Sequence, residues 1–346
     1  MKYIPFTILL VFLLALPVDA VSFTAPTVPE SGREFLSGEP ETFGEGLWSI
    51  LKEAIAHLNP ALSEAAGVCL KLTACTLLVS LVKLVPGSTT AIAEAVGALA
   101  AATVMLLPSN ALISLGTDTV GQIDQYAKLL LPVLTAALAA QGSPVSSASL
   151  YTGTVVFNTV LTGLISRLLI PAIYIFLCLS LVYAVTSQNM VGKLRDFVKW
   201  FCSWSLKTCL YIFTGYMGIT GVVSGSADAA ALKAAKLTFS GVVPVVGGIL
   251  SDASEAVLVG AGLVKNAVGV YGLLAVLAIW IGPFIKIGAQ YLLLKMTHAL
   301  CGAFSADTAG KLIQDFSTAM GLLLAATAAI CVLFLVSIIC FMKVTT

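Results

Sequence analysis

Charge is scarce in this chain. Only 10% of its 346 residues are Asp, Glu, Lys or Arg, against about 25% in a soluble domain. The 18 basic and 17 acidic residues leave a net charge of +1, and the basic ones are scattered. A basic patch able to hold a nucleic acid through its phosphates is therefore excluded. Histidine is almost missing, with only His57 and His298, and neither has a partner at metal-ligand spacing. The eight cysteines lie in or beside apolar stretches without a Cys-x-x-Cys pair, which reads as buried thiols rather than a disulfide scaffold or zinc site. Gly-x-Ser-x-Gly, His-Glu-x-x-His, P-loop and Gly-x-Gly-Asp patterns are all absent. No nucleophile has a general base near it in sequence, so no catalytic residue and no cofactor is expected.

What fills the chain is hydrocarbon. Hydrophobic residues make up 59% and the mean hydropathy is +1.02, the composition of an integral membrane protein whose main partner is the lipid bilayer. Residues 1–20 have the parts of a secretory signal: Lys2, an apolar run from Ile4 to Leu16, and small residues Val18 and Ala20 before a cleavage point. Its removal would leave the N-terminus outside the cytoplasm. Residues 21–65 form an acidic extracytoplasmic segment. Its first part is expected to be disordered. Its second carries Leu47, Ile50, Leu51, Ile55 and Leu58 at helical spacing, a stripe for the membrane surface, a partner or the rest of the chain.

Six stretches are candidate membrane spans: 66–85, 91–115, 149–186, 198–223, 255–304 and 316–342. The third and fifth exceed one crossing and carry Pro171 and Pro283, so each is one kinked helix or a broken pair. Lys193, Arg195 and Lys199 form the densest basic stretch, which the positive-inside rule places in the cytoplasm. Lys71, Lys207 and Lys265 lie close enough to span ends to snorkel.

Prolines recur at one offset. Pro132 is answered by Pro244 and Pro171 by Pro283, and 244 − 132 and 283 − 171 are both 112. Gly192-Lys-Leu-Arg-Asp-Phe197 is echoed by Gly310-Lys-Leu-Ile-Gln-Asp-Phe316. These landmarks suggest an internal duplication, a common plan of membrane transporters and channels. They divide the chain into a first transmembrane helix and loop over 66–90, repeat 1 over 91–198, repeat 2 over 199–316, and a last helix and tail over 317–346. Leu129 to Ala140 and Phe239 to Leu250 are apolar but too short to cross a bilayer, which suggests paired re-entrant or interfacial helices beginning near Pro132 and Pro244. Gly247 and Gly248 follow Pro244 and permit close backbone approach. Arg167, four residues before Pro171, and Lys286, three after Pro283, are intramembrane cations that call for a cavity or partner. Lys286 and Gln290 share a helix face, a candidate wet or subunit-contacting surface, with pairing of Lys286 to Glu94 as the alternative. The expected fold is all-α: a polytopic transmembrane bundle with an internal repeat and paired short helices.

One stretch points to a family. Gly192-Lys-Leu-Arg-Asp-Phe197, the span after it, and Ala234-Ala-Lys-Leu-Thr-Phe-Ser-Gly-Val-Val-Pro-Val-Val-Gly-Gly-Ile-Leu-Ser-Asp-Ala253 resemble the stage III sporulation protein AE family. The similarity covers most of the chain after about Leu62. The resemblance implies a multi-pass component of the mother cell–forespore channel of endospore-forming bacteria, seated in the mother-cell membrane. Implied partners are other membrane and ring-forming components, an ATPase among them, with room for a homo-oligomer. A non-enzymatic channel or export subunit is then expected, with a secondary transporter or permease for a small solute as the alternative.

Overall fold

A backbone buried in hydrocarbon must satisfy its own N–H and C=O groups, and helices do this within one segment. The computed structural model describes residues 25–36, 42–83, 90–242, 247–303 and 307–343, and among them there are helices and no strands. A short turn, α1 (Glu30–Arg33), precedes α2 (Phe43–Lys83), α3 (Thr90–Ala140) and α4 (Pro144–Leu164). A π-helical turn (Ile165–Leu169) joins α4 to α5 (Ile170–Thr186), and α6 (Asn189–Val242), α7 (Gly247–Ala303) and α8 (Asp307–Lys343) follow. The signal sequence at 1–20 and Pro244 lie outside the described residues.

Among the described residues, five helical stretches are long and apolar enough to cross a membrane: Phe43–Lys83, Ile92–Ala140, Pro144–Thr186, Gly262–Gly302 and Thr308–Lys343. Each of them overlaps one of the expected spans. The expected span at 198–223 falls inside α6, which is not among the five. At 1.5 Å per residue, a 41-residue helix such as α2 is roughly 60 Å long. That is about twice the ~30 Å hydrocarbon thickness, so these helices tilt or project beyond the bilayer.

The last two helices form the centre. α7 and α8 pack on each other, and α8 also packs on α3, α4, α5 and α6. Its Phe316, Met320, Leu323, Ile330, Phe334, Ile338 and Phe341 are fully buried, at the three-and-four spacing of one helix face and its flanks. α2 lies along α7 through Ala61, Ala65 and Ala289, whose small side chains let the two backbones come close.

Several expectations need revision. Residues 25–36 are not disordered: Val28, Phe35 and Leu36 are buried against the bundle, and Ser31 bonds to Gln122 of α3. Leu129–Ala140 is not a separate short helix but the last three turns of the continuous α3, with Pro132 inside it. Proline removes one hydrogen bond in a helix interior, yet the break comes ten residues later, where Gly142 adopts a φ of 90° and Pro144 starts α4. A left-handed glycine followed by an N-terminal proline ends one helix and begins another. The stretch bearing Pro171 is one helix with a π turn rather than a broken pair. Pro171 has no N–H and its ring clashes with the carbonyl four residues back, that of Arg167. The local register opens to five, and the Ile170 N–H bonds to the Ile165 carbonyl. Pro283 likewise sits within the unbroken α7. The Gly192 and Gly310 segments each lie in the first turns of a helix, α6 and α8.

Candidate functional site

One end of the bundle gathers charge. Arg195 in α6 reaches across to α8, where its Nη1 donates to Asp315 Oδ2 at 2.8 Å. The two side chains are only 16% and 14% exposed. Arg195 also donates to Asp196 through Nε at 3.1 Å and Nη2 at 2.9 Å, and its guanidinium lies 4.7 Å from the Tyr183 ring centre. Burial works against the Arg195 charge, but the Asp315 and Asp196 carboxylates outweigh it and raise its pKa. The turn that permits this contact is tight. Ser187 closes α5 in the left-handed conformation, φ 53°, and two residues later α6 starts, so the Tyr183 ring packs on Gly192. Nearby, Lys83 at the end of α2 bonds to Glu94 of α3 at 2.5 Å, and Thr308 of α8 donates to the other Glu94 oxygen at 2.7 Å. His298 Nδ1 meets the Gly310 carbonyl at 2.8 Å, a hydrogen-bonded packing role. A small cleft lined by Ser180, Tyr183, Ser187, Thr308, Lys311 and Asp315 opens between these helices.

A second polar cluster lies within the helices. Asp124 of α3, 8% exposed, accepts from Asn158 Nδ2 at 2.8 Å and from Thr162 Oγ1 at 3.4 Å, both on α4. Lys128, one turn along α3, donates to its other oxygen at 2.6 Å. Thr154, Asn158 and Thr162 repeat every four residues and so present one polar row to α3. The Asn158 Oδ1 and Thr154 Oγ1 atoms are buried without a hydrogen-bond partner. Unlike the apolar packing around it, this seam between α3 and α4 is polar and leaves two buried oxygens unpaired.

The residues singled out from sequence are not brought together. Arg167, in the π turn, and Pro132 both face outward. Lys286 is exposed on α7 while Gln290, one turn on, is 4% exposed, so the face expected to be shared divides between surface and core. The alternative of pairing Lys286 with Glu94 is also overturned, because Glu94 is taken by Lys83 and Thr308. Gly247 and Gly248 form the first turn of α7. Lys265 does not snorkel: it is 1% exposed, enclosed by the bundle. Lys71 and Lys207 are exposed. The stripe at the start of α2 is split, with Ile50 buried, Leu47 half-buried and Leu51, Ile55 and Leu58 exposed. Asp124 lies between the expected spans 91–115 and 149–186, and Asn158 lies within an apolar span where no charge marks it. The Asp124–Lys128 spacing, one helical turn between opposite charges, was the available signal.

Comparison with known proteins fits this architecture. A family model described as Stage III sporulation protein AE matches residues 40–345. Stage III sporulation protein AE of Bacillus subtilis (strain 168) is 25% identical over 226 residues, which are 65% of this chain and 57% of that protein. The match thus spans little more than half the length of that relative. No solved structure matches.

Proposed function

Because this chain belongs to the stage III sporulation protein AE family, we propose that it is a non-enzymatic subunit of a sporulation transenvelope channel or export complex needed for forespore development. The family and the five membrane-length helices make it a multi-pass membrane protein of sporulation. In the proposed role it sits in the mother-cell membrane with its N-terminus outside the cytoplasm. Its partners are other membrane and ring components of the complex, including an ATPase, and further copies of itself.

The observation that carries this reading is the Arg195–Asp315 pair. It brings the two echoed Gly-Lys-Leu segments to one end of the bundle, which favours halves that run parallel. Alternating-access transporters are commonly built from inverted halves, so the parallel arrangement favours a platform or channel subunit. Exposed Arg167 and Lys286 then offer cations to neighbouring subunits, where a charge at membrane depth finds a partner. The buried Asp124–Asn158 seam is the feature that favours the second reading, a secondary transporter with a polar site between helices.

Two measurements separate the readings. Photo-crosslinking residues placed at Arg167 and Lys286 in sporulating cells should capture other membrane components of the complex, and the purified chain in vesicles should move no solute. Solute flux by the purified chain, without crosslinks to partners, would overturn the proposal in favour of transport.

A further inference from the structure

The outward face of α6 carries an unbroken aromatic row. Phe197 and Trp200 have ring centres 5.9 Å apart, Trp200 and Trp204 stack at 5.9 Å, and Phe201 stacks on Phe197 at 6.3 Å. These positions follow three- and four-residue steps, so they lie along one side of the helix. The opposite side is the buried one, with Gly192, Cys202 and Leu206 turned into the bundle. Phe197, Trp200 and Trp204 are each more than half exposed. Aromatic side chains of this size bury ~150–250 Å² each when covered, and three left bare in water form a surface that calls for a cover.

Charge identifies the cover. Between Asn189 and Ile219 the only acidic residue is Asp196, which is held by Arg195. Lys193, Lys199 and Lys207 are all exposed along the same stretch. Trp and Tyr concentrate at the membrane–water interface, where an apolar ring and a polar edge are both accommodated. Lysines beside them reach anionic headgroups. The surface also continues into apolar surface of a helix long enough to span: α5 packs along α6 and exposes Ile175, Val182 and Val185. The Arg195–Asp315 contact ties this segment to the charged end of the bundle.

We propose that the Phe197–Trp204 face of α6, with Lys193 and Lys207 flanking it, is a binding surface for the anionic phospholipids of one bilayer leaflet. The face fixes the depth at which the bundle sits and makes the chain selective for acidic lipid. It also assigns the first turns of α6 to the interface rather than to the hydrocarbon centre.

The sequence has four tryptophans, Trp48, Trp200, Trp204 and Trp280, so the full chain with Trp48→Phe and Trp280→Phe reports on this face alone. It would be reconstituted in vesicles of phosphatidylcholine containing dibrominated phosphatidylglycerol or dibrominated phosphatidylcholine, with bromines at a shallow or a deep chain position. We expect quenching stronger with shallow than with deep bromines, and stronger with the brominated phosphatidylglycerol. Replacing Lys193 and Lys207 by Gln should reduce that lipid preference by roughly fivefold per lysine, the effect of one basic residue near an anionic surface, while leaving quenching by brominated phosphatidylcholine intact. Equal quenching by the two lipids would overturn the anionic assignment. Quenching by aqueous iodide but not by lipid would show a face in water. Protection from both would show a face covered by protein, and either result would overturn the proposal.

Discussion

Arg195 and Asp315 stand 120 positions apart in sequence and 2.8 Å apart in space. Each belongs to one of the two echoed Gly-Lys-Leu segments, so the resemblance between those segments is matched by direct contact. A largely buried ion pair is weak evidence for net stability, but removing one partner strands the other charge. Arg195→Met should therefore cost about 3 kcal/mol. Asp315→Leu should cost less, because Arg195 keeps Asp196. A double-mutant cycle by chemical unfolding in mixed micelles checks this, and additivity of the two single losses would show that the pair is not coupled.

The same contact predicts topology. Ser187 and Lys311 are both exposed at this end, whereas Ala309 is buried and would make a poor probe. In a cysteine-free background, Ser187→Cys and Lys311→Cys should be labelled by an impermeant maleimide from the same side of the membrane. By the positive-inside rule, the basic residues around them, Lys83, Lys193, Lys199 and Lys311, make the cytoplasm the expected side. Labelling from opposite sides would contradict the bundle as described and revive an inverted-repeat arrangement.

Composition and run length made the helical, membrane-spanning character legible, because hydrocarbon content is additive along the chain. Helix ends were harder. Pro132 marks the start of a short helix by sequence, and Pro171 and Pro283 leave both a kinked helix and a broken pair open, yet all three lie within or beside continuous helix, since a long helix with packed neighbours tolerates one missing bond. The actual break at Gly142–Pro144 was signalled by Gln-Gly-Ser-Pro, an ordinary turn sequence. Lys265 read as a snorkelling residue because it lies near a span end, but burial is set by which helices surround that end. The Asp124–Asn158 contact joins α3 to α4 across 34 positions, and no local pattern encodes which polar residues on neighbouring helices will face each other.

That contact carries its own prediction. Asn158→Ala removes a neutral donor from a buried carboxylate, which should cost about 1–3 kcal/mol. Lys128 is 67% exposed in its side chain, so Lys128→Met should cost no more than about 1 kcal/mol despite the shorter bond. Thermal unfolding of the two variants should rank Asn158→Ala as the more damaging. The reverse order would mean that the charge pair, not the interhelical amide, holds α3 against α4.

Helix approach sets the last expectation. Gly153 of α4 faces Tyr216 of α6 so closely that a Cβ at this position would fall 2.1 Å from Tyr216 Cε1, and the Tyr216 hydroxyl is within 3.4 Å of the Ser149 carbonyl. The ring also packs against Phe157, 5.4 Å between centres, so it has little room to yield. Gly153→Ala should therefore destabilise the protein by about 1–3 kcal/mol, the usual range for overpacking. Gly163, on the same helix, has no atom within 4 Å of where its Cβ would be. Gly163→Ala should be neutral or stabilising by up to ~1 kcal/mol through helix propensity alone. Adding Tyr216→Ala to Gly153→Ala should recover part of the loss, because the clash disappears with the ring. If Gly153→Ala and Gly163→Ala unfold at the same temperature, α4 and α6 are not in contact at this level.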